Sequence, residues 1–108
     1  MIEKVKIGGH WIKVKEVDMP AGVKLIGGVD YAKNEISISK ILDYSKKIVT
    51  LIHEIFEEIT FQTDMDINHQ TLSTLAEYWF QVLTDNPKFI EMLVFNLPGE
   101  IEWIKKKK

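Results

Sequence analysis

The stretch EISISKILDYSKKIVTLIHEIFEEITFQT, residues 35–63, decides the fold, because its periodicity changes in the middle. In Glu35-Ile36-Ser37-Ile38-Ser39 every second residue is apolar, the period of a strand with one face buried. From Tyr44 to about Thr63 the apolar residues are Ile48, Leu51, Ile52, Ile55, Phe56 and Ile59, which is helical spacing. Asp43, between the two patterns, suits a helix N-cap.

Working toward the N-terminus, Val29-Asp30-Tyr31 and Glu35 to Ser39 flank the turn Ala32-Lys33-Asn34 and read as a hairpin with Ile36 and Ile38 on one face. Ile2 to Ile7 and His10 to Val17 alternate around Gly8-Gly9 and read as another. In the second run Trp11, Val14 and Val17 are set against Lys13, Lys15 and Glu16. A short strand is expected at Val23 to Ile26, after the loop Asp18 to Gly22. Working toward the C-terminus, Asp64-Met65-Asp66 breaks the first helix. A second helix is expected from about Asn68 to Leu83, and a third from Pro87 to Phe95, with proline in its first turn. Trp79, Phe80, Phe89 and Phe95 fall at helical positions and read as core. Ile101, Trp103 and Ile104 read as a last strand or a docked tail. The expectation is one α+β domain over residues 1–108, a small N-terminal antiparallel sheet packed on a C-terminal helical half.

Composition bounds the function. A chain of 108 residues, 45% hydrophobic, builds one core. A formal net charge of −2 gives no reason to expect nucleic acid, and Lys105 to Lys108 read as a solvated tail. With no cysteine, any metal must sit on His, Asp or Glu. A charged start, Met1-Ile2-Glu3-Lys4, and no apolar run of about 20 residues lead us to expect a cytoplasmic protein without a membrane partner.

The chemistry concentrates in Leu51-Ile52-His53-Glu54-Ile55-Phe56-Glu57-Glu58, an H-E-x-x-E motif. Residues four apart share a helix face, so His53 and Glu57 can chelate one ion. Glu54, about 100° around the helix, has the position from which the glutamate of H-E-x-x-H acts as general base. On a helical wheel His53, Glu54, Glu57 and Glu58 share the arc of Lys46, Lys47 and Thr50, and a plain solvated face accounts for the same residues. The second helix adds His69 at the edge of its apolar arc and Glu77 just outside it. A helix hairpin can carry His69, Glu77 or both to His53 and Glu57. Two imidazoles with one or two carboxylates suit Zn²⁺, and Fe²⁺ or Mn²⁺ accept the same set. His10 reads as a surface histidine.

The run Val29-Asp30-Tyr31-Ala32-Lys33-Asn34-Glu35-Ile36-Ser37-Ile38, followed by Thr50-Leu51-Ile52-His53-Glu54, resembles the small zincin-type metallopeptidases called minigluzincins and the ImmA-like peptidase domains of phages and mobile elements. Asn68-His69-Gln70, Leu75-Ala76-Glu77 and the segment Gln81 to Pro87 are similar to small phage proteins of this kind. The resemblance implies a zincin-like domain in which an edge strand precedes the active-site helix. It implies His53 as first metal ligand, Glu54 as general base, and a peptide or protein as substrate or partner. Glu57 stands where such peptidases carry their second histidine, and the glutamate of their second helix falls at Ser73, with His69 and Glu77 one turn to either side. The implied function is a zinc-dependent phage or prophage hydrolase. The alternative is a non-catalytic phage accessory or binding protein with a structural or vestigial metal site.

Overall fold

A computed structural model describes residues 1–18 and 26–95. Their elements run β1 (Lys4–Ile7), β2 (His10–Val17), β3 (Gly27–Asp30), β4 (Glu35–Ser39), α1 (Tyr44–Thr63), α2 (His69–Asp85) and α3 (Pro87–Val94). The fold is α+β, a four-stranded sheet followed by three helices. Residues 23–25 of the strand expected at Val23 to Ile26, and the strand or tail at Ile101, Trp103 and Ile104, lie outside the described residues.

Both hairpins form where the alternation places them. β1 and β2 pair antiparallel, joined by Gly8 at φ +56° and Gly9 at +87°. A two-residue hairpin turn of the primed type needs positive φ at both central positions, and only glycine adopts it without strain. β3 and β4 also pair antiparallel. The backbone N–H groups of Ala32 and Lys33 donate to Asp30 Oδ1, and Asn34 takes a left-handed φ of 53°.

The sheet is not wholly antiparallel, as the two hairpins had suggested. Its order is β1-β2-β4-β3, and β2 pairs parallel with β4, Val14 facing Ile36. The joint buries the most regular apolar strand: Ile36 and Ile38 become fully buried in a strand flanked on both sides. Gly-rich β3, not the strand that directly precedes α1, forms an edge. Period two also corrects the apolar face read in β2. Ile12 is fully buried beside Val14, whereas Trp11 is 56% exposed, with the Lys4 ammonium 4.6 Å from its ring centroid.

Ile7, Ile12, Val14, Ile36, Ile38 and Leu51 form the core cluster, against which Val5, Val29, Leu42 and Ile55 pack. The helices begin as their caps dictate. Asp43 accepts from the Lys46 N–H at 2.8 Å, Asn68 from the Thr71 N–H at 2.8 Å, and Pro87 opens α3. Asp64, left-handed at φ 55°, closes α1. The four aromatics read as core are not buried: Trp79 is exposed, and Phe80, Phe89 and Phe95 are half-covered. They lie on α2 and at α3, a helix with no buried residue. No helix among the described residues is long and apolar enough to cross a membrane.

One close approach sets where α1 lies. A Cβ at Gly27 would meet Thr50 Cγ2 at 2.6 Å and the Ser37 carbonyl oxygen at 3.1 Å, whereas at Gly28 it would meet nothing within 4 Å. Gly27→Ala is therefore expected to lower stability by about 1–3 kcal/mol in urea unfolding, and Thr50→Ser in that background to restore part of it. Gly28→Ala should change stability by less than about 1 kcal/mol. Equal losses at both glycines would refute the steric account.

Candidate metal centre

The polar arc of α1 is not a solvated face. Thr50, Glu54 and Glu58 are 4%, 7% and 2% exposed. They recur every four residues and so form one stripe. Thr50 and Glu54 lie against Gly27, and Gln62, the next member, donates to the Ile7 carbonyl at 3.0 Å. The helix is covered from both sides, by the sheet and by α2, which buries Leu72 and Ala76. A wheel drawn for one buried face cannot represent that.

Within this frame three side chains converge. His53 Nε2 lies 3.4 Å from Glu57 Oε1, one turn along α1, and His69 Nδ1, at the start of α2, lies 3.9 Å from the same oxygen. One donor atom from each residue falls within 4.8 Å of the other two. Zinc with ligands at roughly 2.0–2.2 Å in a tetrahedron places donor atoms about 3.4 Å apart. The His53–Glu57 distance already matches that spacing. His69 is 80% exposed, which leaves its ring room to turn. The ring centroids of His53 and His69 are 4.7 Å apart, edge to face.

The expected site residues divide cleanly. His53, Glu57 and His69 come together, and Glu54 lies buried beside them. Glu77 lines the same cleft but is not in the converging group. That cleft has a volume of about 330 Å³, with Ile26, Gly27, Thr50 and Ala76 among its walls. Two residues to which the sequence reading gave no such role belong to the surroundings. Ser73 Oγ lies 3.4 Å from His53 Nδ1 and 3.5 Å from His69 Nε2. Tyr31, in the β3–β4 turn, stacks on Phe61 with centroids 4.2 Å apart, and its phenol responds to the charges of Glu57, Glu54 and Glu58. The Ser73–His69 contact spans one turn of α2, whereas the Ser73–His53 and Tyr31–Phe61 contacts cross between elements, which no spacing rule within one element signals.

Burial governs the electrostatics. It pushes the Glu54 carboxyl up to about 7, helped by the neighbouring charge of Glu57. Burial first, and then the neighbouring His69, holds His53 below its ordinary value, against the opposing pull of Glu57. A lowered value keeps His53 neutral, the form that binds metal. Burial first, then the three glutamates, raises Tyr31. Glu58 Oε1 has no hydrogen-bond partner among the described residues, an uncompensated polar burial that costs stability.

The comparisons add no relative: no family model, no curated protein and no solved structure matches this chain. The class of site therefore rests on its donor set, two imidazole nitrogens and one carboxylate oxygen. That set fits Zn²⁺ and is compatible with Fe²⁺ or Mn²⁺.

Two outcomes follow. In chelator-competition titrations His53→Ala, Glu57→Gln and His69→Ala should each weaken zinc binding at least about 100-fold, whereas Glu77→Gln should stay within about threefold. A loss at Glu77 equal to the others would place it among the ligands. In the metal-free protein, the folded state keeps the Glu54 proton between pH 4.5 and about 7, where the unfolded chain has released it. That contribution to stability is full below 4.5 and is lost as pH rises through about 7. Glu54→Gln should match wild type near pH 4.5 and exceed it by about 2 kcal/mol at pH 8, allowing for solvent screening. Parallel pH–stability curves would refute the assignment.

Proposed function

We propose that this chain is a small zincin-like metallopeptidase of the phage or prophage type, using zinc held by His53, Glu57 and His69. The observation that carries the reading is the convergence of those three donors beside a buried glutamate whose proton affinity is tuned to neutrality. The resemblance of Thr50-Leu51-Ile52-His53-Glu54 to an active-site helix supports it. With Glu77 outside the converging group, two neutral imidazoles and one carboxylate leave a divalent ion one net positive charge, the balance of two-histidine, one-glutamate zinc peptidases.

β3, an edge strand among the described residues, borders the cleft at Gly27. An extended peptide can add to that edge and lay its scissile carbonyl over the site. The ion, when bound, supplies Lewis acidity, polarising that carbonyl and acidifying water. Glu54 takes the proton from the attacking water and returns it to the departing amine. Burial, which raises the Glu54 carboxyl in the metal-free protein, favours its holding the proton between the two transfers. The Tyr31 phenol, kept protonated by its surroundings, is a hydrogen-bond donor on the same side of α1. A cytoplasmic setting belongs to this reading.

A second reading has a specific basis. His53 and Glu57 come from α1 and His69 from α2, so an ion bound to all three also cross-links the two helices. The protein would then be a non-catalytic accessory or binding protein with a structural metal. The deciding measurement is cleavage of a mixed peptide library by zinc-loaded protein, with and without chelator. Wild type should cleave. Glu54→Gln should keep stoichiometric zinc and lose about 10²–10⁴-fold in rate. Zinc that raises the melting temperature of wild type with no cleavage would select the structural reading. Undiminished cleavage by Glu54→Gln would remove Glu54 from the mechanism.

A further inference from the structure

We propose that Ser73 is the positioning residue for both histidines, and that it makes them present opposite ring nitrogens to the metal: Nε2 from His53 and Nδ1 from His69. The inference rests on the metal reading of this site. Each imidazole has two nitrogens. The one that does not bind metal carries hydrogen and needs an acceptor, and that acceptor fixes the tautomer and the ring plane.

The two rings are held between two poles. On one side Glu57 Oε1 faces Nε2 of His53 at 3.4 Å and Nδ1 of His69 at 3.9 Å. On the other side a single atom, Ser73 Oγ, faces Nδ1 of His53 at 3.4 Å and Nε2 of His69 at 3.5 Å. The nitrogens on the carboxylate side are the ones a cation can share with Glu57. Those on the serine side are the ones left to carry hydrogen. A hydroxyl oxygen has two lone pairs and can accept from both N–H groups while keeping its own proton to donate. Ser73 is thus the common partner of the two rings, and it faces the side away from the carboxylate rather than joining the ligands.

The backbone makes this possible at little cost. Ser73 follows His69 by one turn of α2, which places its hydroxyl beside that ring by helical geometry alone. The packing of α2 on α1 brings His53 to the same oxygen. The side chain of His53 is largely buried, so its Nδ1–H has little access to water if Ser73 is lost. The exposed His69 can turn to solvent instead. The consequence of losing the hydroxyl therefore falls mainly on His53, the ligand the helix hairpin orients most tightly.

The test uses the full chain with ¹⁵N-labelled histidine, loaded with Zn²⁺, and two-bond nitrogen–proton correlation to identify the protonated nitrogen of each ring. His53 should carry hydrogen on Nδ1 and His69 on Nε2. Ser73→Ala should weaken zinc binding about 10–100-fold in chelator competition, with an unchanged circular dichroism spectrum. Ser73→Thr, which keeps the hydroxyl, should remain within about threefold of wild type. Metal bound through the same nitrogen in both rings, or equal affinity in wild type and Ser73→Ala, would overturn the proposal and leave the metal reading standing. A wild type that takes up no zinc would overturn both. If Ser73→Ala does not fold, the nitrogen assignment in wild type still decides.

Discussion

The α1 helix is pressed on one side by the sheet and on the other by α2, and the rest of the molecule follows from that confinement. A helix covered twice cannot give all its polar residues to water. Leu51 and Ile55 join the sheet core, as apolar residues should. Thr50, Glu54 and Glu58 are enclosed as well, along the neighbouring stripe. Burying carboxylates is costly unless they are paired, protonated or close to a cation. Glu54 meets the cost by holding its proton toward neutrality. That the fold keeps three glutamates in one and a half turns of a covered helix is a reason in itself to look for a positive charge there.

The centre combines two kinds of placement. His53 and Glu57 are brought together by one helix, through the repeat of the helix itself. His69 and Ser73 arrive from α2, and their position depends on the short connection that starts at Asp64 and ends at the Asn68 cap. The left-handed Asp64 ends α1, and the Asn68 side chain starts α2, so residues 65–67 alone span the gap. Such a tight hairpin brings the first turn of α2 back alongside α1. The two caps thereby help set which residues of α2 face His53. β3 supplies the other wall, and Gly27 lets the sheet edge approach Thr50 and Glu54 beside the cleft.

Several features were written locally and were therefore legible. The Gly8-Gly9 turn, the Ala32-Lys33-Asn34 turn, the Asp43 cap, the proline start of α3 and the burial of Ile36 and Ile38 each depend on neighbours within a few positions. Others depend on partners far along the chain. Nothing in either hairpin says that β4 will insert parallel beside β2, because each hairpin is complete without the other. Trp11 is apolar enough to be taken for core, yet strand alternation gives the inward positions to Ile12 and Val14, and the exposed Trp11 ring lies under the ammonium groups of Lys4 and Lys6. The aromatics of α2 and α3 keep helical spacing but meet too little of the described structure to be buried.

For the candidate centre the division is equally physical. By itself the sequence determined that the only ligands on offer are histidine and acidic side chains, that His53 and Glu57 share one helix face, and that His69 leans toward whatever its helix packs on. These are consequences of composition and of a 3.6-residue repeat. Only the tertiary structure decided that the face with Thr50, Glu54 and Glu58 is interior and that His69 reaches Glu57. It also decided that Glu77 stays outside the converging group and that Ser73 lies between the two imidazoles. A helical wheel reports angles about one axis. Burial and convergence are set by what lies across the gap, and those partners come from β3 and α2, elements whose distance from α1 no periodicity within α1 encodes.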